Sequence, residues 1–222
     1  MNYKFLKLVF ILALIQYGCE STNATSEVKS NSLALDQYQQ KSSFQEGDLI
    51  FQSSKSRQSK AIQLATDSKY SHMGMIYEEE GNLFVFEAVQ PVKITPLSKW
   101  IKRGENGDFV LKRLKNANEI LTDSVLDKMK RFGEQFIGKP YDIHFEWTDD
   151  KIYCSELVWK IYREVTGIEI GELEKLSDFD LSSDEVKTIM NKRYGNEVPL
   201  NEKVISPVAM FESDKLVTVT TD

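Results

Sequence analysis

The sequence predicts an α+β domain, on three observations. Strand-like segments cluster between residues 49 and 113, amphipathic helical patterns are segregated around them, and no repeated strand–helix–strand alternation appears. In chain order, Phe44-Gln-Glu-Gly-Asp48 reads as a turn and Leu49-Ile-Phe51 as a strand. Ser54 to Thr66 sets Ala61, Ile62 and Ala65 at helical spacing. Ser71 to Tyr77 and Leu83 to Val89 are apolar runs separated by Glu78-Glu-Glu-Gly-Asn82, which predicts a hairpin with a longer loop. Val92 to Thr95 and Phe109 to Arg113 add two more strands.

The second half is helical first. Thr122 or Asp123 can cap a helix running to Ile137, because Val125, Met129, Phe132 and Phe136 recur on one face. Gly138-Lys-Pro140 stops it. Cys154 to Thr166 is the next helix, with Leu157, Val158, Ile161 and Val165 on its apolar face and Gly167 as its stop signal. Glu169 to Tyr194 reads as loop plus a surface helix. Val204-Ile-Ser-Pro207 then leads to a last strand, Lys215 to Thr220.

The chain of 222 residues begins outside this domain. Lys4 and Lys7 precede the unbroken apolar run LVFILALI, residues 8–15, and Gly18-Cys19 follows. That is the pattern of an export signal over residues 1–18. The run is too short to cross a bilayer, which takes roughly 20 apolar residues. Gly18-Cys19 resembles a bacterial lipoprotein cleavage box, which implies a lipid on Cys19, a membrane anchor and a place in the cell envelope. Gln16 and Tyr17 depart from the usual box, so an ordinary signal peptide cut nearby is the competing reading. Residues 19–43, rich in Ser, Asn, Gln and Thr, read as a lipidated N-terminus and flexible tether, and residues 44–222 as one folded domain.

The formal charge is −6 and no basic stripe appears, which argues against nucleic acid as a partner. The chain has two cysteines and two histidines. With so few, no zinc-ligand spacing exists, so no metal is expected. No phosphate-cradling loop or dinucleotide fingerprint appears, so no cofactor is expected either, and there is no Gly-x-Ser-x-Gly elbow. A cysteine–histidine pair is the remaining reactive combination.

Cys154 stands at a helix N-terminus, where free amides and the helix dipole favour a thiolate and could hold an oxyanion. His72 lies on a strand and can serve as base and then acid. Glu87 lies on the next strand inside the apolar run Phe84 to Ala88, where a carboxylate needs a partner. If the strands pair, it can bond the second ring nitrogen of His72 and fix its tautomer. Each residue taken alone also suits an ordinary structural place: core for Cys154 and His72, an exposed face for Glu87. His144, in the aromatic loop Pro140 to Trp147, reads as loop packing or a substrate wall, with the base as the weaker alternative.

Several short segments follow one another in order: Gly47-Asp-Leu-Ile-Phe51, Tyr70-Ser-His-Met-Gly74, Phe86-Glu-Ala88, Gly138-Lys-Pro-Tyr-Asp142, Phe145-x-Trp-x-Asp-Asp150 and Tyr153-Cys-Ser-Glu-Leu157. Together they resemble the YiiX-like branch of the NlpC-type cysteine peptidases, across residues 44 to 220. The resemblance implies a circularly permuted papain-like fold, in which an antiparallel sheet packs on helices and the histidine strand precedes the cysteine helix. It implies Cys154 as nucleophile, His72 as base and Glu87 as orienting acid. Tyr70 and Tyr141 are expected to line the cleft, with Asp142 and Trp147 on its rim. The expected activity is amide hydrolysis through an acyl-enzyme, on a cell-wall peptide or related amide. A lipid acyl hydrolase or acyltransferase using the same site is the alternative. A non-catalytic module binding wall fragments is a third.

Overall fold

A computed structural model describes residues 43–219. The export signal and Cys19, and all of the expected tether but residue 43, lie outside the described residues. Six strands form one antiparallel sheet: β1 (Leu49–Gln52), β2 (His72–Glu79), β3 (Asn82–Glu87), β4 (Lys93–Pro96), β5 (Val110–Leu114) and β8 (Leu216–Val219), in the spatial order β4-β3-β2-β1-β5-β8. A short second pair, β6 (Glu174–Lys175) and β7 (Lys203–Val204), was not legible in sequence.

The sheet is buried on both faces, and strand alternation sorts its side chains between two cores. Leu49, Phe51, Met73, Met75 and Phe86 face the larger core. Ile50, Ile76 and Val85 face the smaller one with Trp100 and Leu111. On the larger side lie α4 (Asp123–Glu134) and α5 (Cys154–Thr166), packed against each other. The smaller side is covered by α2 (Leu97–Arg103), a seven-residue helix absent from the sequence reading. Its N-cap is Pro96 with no side-chain cap bond, so the usual polar start signal is missing.

Other elements shift only at their ends. Helix α1 (Arg57–Thr66) starts later than expected because Ser56 is its cap, accepting from the Ser59 amide at 3.0 Å. The β2–β3 connection is tighter than the longer loop expected. Glu79 pairs with Asn82, and Glu80 and Gly81 between them have φ of 50° and 76°. Two positive φ values in a two-residue loop make a type I′ turn, whose twist matches the strands it joins. A short helix α3 (Ala117–Ile120), then α6 (Asp184–Tyr194) and α7 (Pro207–Phe211) complete the domain. Helix α6 packs on α1 around a third, separate cluster of Ala61, Leu176, Val186 and Met190. Among the described residues, no helix is long and apolar enough to cross a membrane.

Candidate active site

Cys154 is the first residue of α5, and its neighbours fix it there. The Tyr153 hydroxyl accepts from the Ile205 amide at 3.0 Å, and the Ser155 hydroxyl donates to the Ile205 carbonyl at 2.7 Å. Both flanking side chains thus grip one residue, Ile205, just after β7. Glu156, in the same first turn, is fully buried. Its carboxylate accepts from the Tyr153 amide at 3.4 Å and pairs with Lys160 at 2.7 Å. Burial pushes its pKa up to about 8 against the opposing pull of Lys160.

His72 opens β2. Its Nε2 sits 2.7 Å from Glu87 Oε2, so that nitrogen carries the proton and donates it to the carboxylate. Nδ1 is left free on the Cys154 side, and the two groups shift each other's pKa. The ring stacks on Trp100 with centroids 5.9 Å apart.

Glu87 is fully buried and accepts four hydrogen bonds. Besides His72, the donors are Thr95 Oγ1 at 2.7 Å, Trp100 Nε1 at 2.9 Å and the Arg103 guanidinium. Burial opposes its ionisation. His72, Thr95 and Arg103 outweigh that and hold its pKa down to about 2. The short helix α2 therefore has a chemical role, since it delivers Trp100 and Arg103, spaced three apart on one face, to the carboxylate. Gly74 lets β2 and β3 close on each other next to Glu87: a Cβ there would come within 2.4 Å of Val85 Cγ1 and 2.8 Å of the Phe86 carbonyl oxygen.

The thiol and imidazole shift together. Burial disfavours the Cys154 thiolate, but the His72 hydrogen bond and charge, with the Met73 and Ser155 amides, lower its pKa overall. Burial likewise disfavours the His72 cation, yet Cys154 and Glu87 raise it from 6.5 to about 9. Both shifts favour a thiolate–imidazolium pair.

The fold thus brings Cys154, His72 and Glu87 into one contiguous set. Tyr141 also joins them on the pocket wall beside Cys154, and burial followed by the Cys154 charge raises its pKa well above the ordinary value. The other expected cleft residues lie elsewhere. Tyr70 stacks in the core on Phe211, with ring centroids 4.2 Å apart, and meets Phe51 edge-on. Trp147 packs edge-on against Trp159 behind α5. Asp142 is fully buried and accepts from the His144 amide at 2.8 Å, which closes the loop rather than rimming a cleft. His144 sets its ring edge-on to Tyr194.

Two cavities meet at the site. One reaches Cys154 between α1 and α6, with Ile62, Ala65, Leu176, Val186 and Met190 on its largely apolar wall. The other lies on the His72 side and is edged by Gln52, Ser54, Ser56, Gln90 and Arg103.

A family model described as permuted papain-like amidase enzyme, YaeF/YiiX, C92 family, matches residues 43–220. The chain belongs to that family. It is 48% identical over 175 residues to the YiiX protein of Escherichia coli K12, across 79% of this chain and 85% of YiiX. A crystal structure described as that of metalloprotein YiiX from Escherichia coli O157:H7 superposes with a TM-score of 0.76 at 47% identity. It covers 80% of this chain and 97% of the other. The domain is thus a permuted papain-like amidase, a cysteine-peptidase-type hydrolase with an α+β fold.

Thr95, Trp100, Arg103 and Ile205 escaped the sequence reading. The one available signal was Trp100 and Arg103 at helical spacing in LSKWIKR, directly after Pro96.

Proposed function

We propose that the protein hydrolyses amides whose acyl group is long and apolar, through an acyl-enzyme on Cys154. The observation that carries this reading is the apolar pocket that Cys154 helps to line. A chain lying there buries methylenes against Ile62, Leu176 and Met190. A wall peptide would bring amides and carboxylates to a surface with few partners for them. The pocket therefore favours the lipid-type acyl group over the wall peptide first expected.

The Cys154 thiolate attacks the amide carbonyl, a C–S bond forms, and the oxygen becomes an oxyanion. The Cys154 amide, which has no helical acceptor in the first turn, and the Tyr141 hydroxyl are its donors. As the intermediate collapses, the C–N bond breaks and imidazolium His72 protonates the departing amine. Water then enters, His72 takes its proton, and the hydroxide adds to the thioester carbonyl. The C–S bond breaks, a carboxylic acid leaves, and the thiolate–imidazolium pair is restored.

The chain-length dependence of hydrolysis tests the acyl pocket. Across acetyl, hexanoyl, octanoyl and dodecanoyl p-nitroanilides, kcat/KM should rise roughly three- to fourfold per added methylene until the pocket fills. A rate independent of chain length, or highest for acetyl, would send the acyl group elsewhere.

The related crystal structure is described as a metalloprotein. Among the described residues here, no group of three or more His, Cys, Asp or Glu side chains comes together to hold a metal. Cys154, His72 and Glu87 instead satisfy one another, so this donor set does not suit a metal centre and no step uses one.

We also propose that Cys19 is the lipidated N-terminus, which would hold the domain beside its substrate at the cell envelope. Gly18-Cys19 two residues after the apolar run supports it. Mass spectrometry of the mature protein should find the chain starting at Cys19 with added acyl mass. A mature chain starting beyond Cys19 would remove the anchor and leave the enzyme reading intact.

A further inference from the structure

Gln58, in the first turn of α1, has both ends of its amide engaged. Its Oε1 accepts from Arg193 Nη2 at 3.1 Å, and its Nε2 donates to the Tyr141 oxygen at 3.1 Å. The direction of these bonds is dictated by chemistry. A guanidinium has donors only, so the end of Gln58 facing Arg193 must be the carbonyl. The end facing Tyr141 must then be the NH2 group. The Tyr141 oxygen is the acceptor on that side, and its single O–H proton is left for the pocket whose wall it shares with Cys154.

We infer that Gln58 and Arg193 are positioning residues that set the direction of the Tyr141 hydrogen bond, so that its hydroxyl donates to the thiolate and then to the oxyanion. The chain runs through four separate parts of the fold: Arg193 on α6, Gln58 on α1, Tyr141 in the loop before α5, and Cys154 at the start of α5. All four residues line the apolar pocket. Arg193 is held from a further side, with its guanidinium 5.2 Å from the centre of the Phe145 ring. This inference rests on Cys154 as the nucleophile, but not on the identity of the acyl group.

Gln58→Glu tests it. A carboxylate has the same shape and still accepts from Arg193, but it cannot donate to Tyr141. Tyr141 would turn its proton toward Glu and away from the sulfur. The readout is the pH dependence of iodoacetamide alkylation of Cys154 in the full chain, which needs no substrate. The midpoint should rise by roughly one to two pH units in Gln58→Glu and by a similar amount in Tyr141→Phe, since each removes a donor to the thiolate. The decisive arm is the double variant, which should lie no higher than Tyr141→Phe alone. An unshifted midpoint in Gln58→Glu overturns the inference. So does a Gln58→Glu shift that persists undiminished in the Tyr141→Phe background, which would be the added charge acting through space. If thermal melting shows Gln58→Glu unfolded, Arg193→Met carries the comparison instead: it frees the Gln58 amide to turn its carbonyl toward Tyr141, and an unshifted midpoint there overturns the inference. On the dodecanoyl anilide, kcat should fall about tenfold with KM unchanged. The expected alkylation shifts without any anilide hydrolysis would uphold the relay and sink the amide reading instead.

Discussion

Cys154→Ser should lower hydrolysis of a dodecanoyl anilide by at least about 10⁴-fold while leaving the melting temperature close to that of the wild type. The site is built to hold a charge on this atom. His72 and the Met73 and Ser155 amides favour the thiolate over the opposing effect of burial. A serine hydroxyl is not ionised by such modest help, and its proton must leave during attack. The pH profile of the native enzyme should show the same pair. The thiolate exists above the lowered Cys154 pKa, and the imidazolium exists until about pH 9. Alkylation of Cys154 should therefore be fast below pH 7 and stay fast above pH 9. Hydrolysis should instead decline as pH passes about 9, because the acid that protonates the leaving amine is lost. A serine variant that retains a tenth of the activity would remove the nucleophile role. Hydrolysis and alkylation rising together through pH 9 would remove the ion pair.

Much of the fold was legible because its signals are local. The apolar alternation of Ser71 to Val89 and the helical faces of 123–137 and 154–166 survive in the structure as β2, β3, α4 and α5. What failed lacked a local signal. Helix α2 has seven residues and no polar cap, and β6–β7 has two residues a strand. At the site, Cys154, His72 and Glu87 could be singled out because two cysteines and two histidines leave little choice, and because a carboxylate inside an apolar strand demands a partner. The groups that hold them are invisible at that level. Arg103 meets Glu87 only because β4 returns beside β3 and α2 folds back over it. Arg193 and Gln58 are 135 residues apart, and a hydrogen bond of that span leaves no periodicity. Tyr70 shows the opposite error. An aromatic beside a candidate base suits a cleft wall and a core equally well in sequence, and contact with Phe51 and Phe211 settled it as core.

Glu87→Gln should keep the fold and lower kcat by on the order of 10²- to 10³-fold. The amide can occupy the carboxylate's place. Its oxygen can accept from His72, Trp100 and Arg103, where Oε2 now does, and Thr95 can turn its hydroxyl to accept from the NH2 group. The charge is what disappears. Without it the imidazolium loses a stabilising neighbour, the His72 pKa falls from about 9, and the thiolate loses its counter-ion. Alkylation of Cys154 at pH 6 should slow along with hydrolysis. Stability should change in a signed way. Glu87 has its folded pKa held at about 2 against an ordinary 4.5, so its contribution is full above pH 4.5 and is lost as pH falls toward 2. His72 has a raised folded pKa, so its contribution is full below pH 6.5 and is lost as pH rises through about 9. These two contributions are both full only from about pH 4.5 to 6.5. The Gln variant should melt lower there, and its curve should flatten below pH 4.5 because the carboxylate that titrated is gone. A variant within twofold of native activity, with an unchanged alkylation rate at pH 6, would mean that Glu87 supports the sheet and not the imidazole.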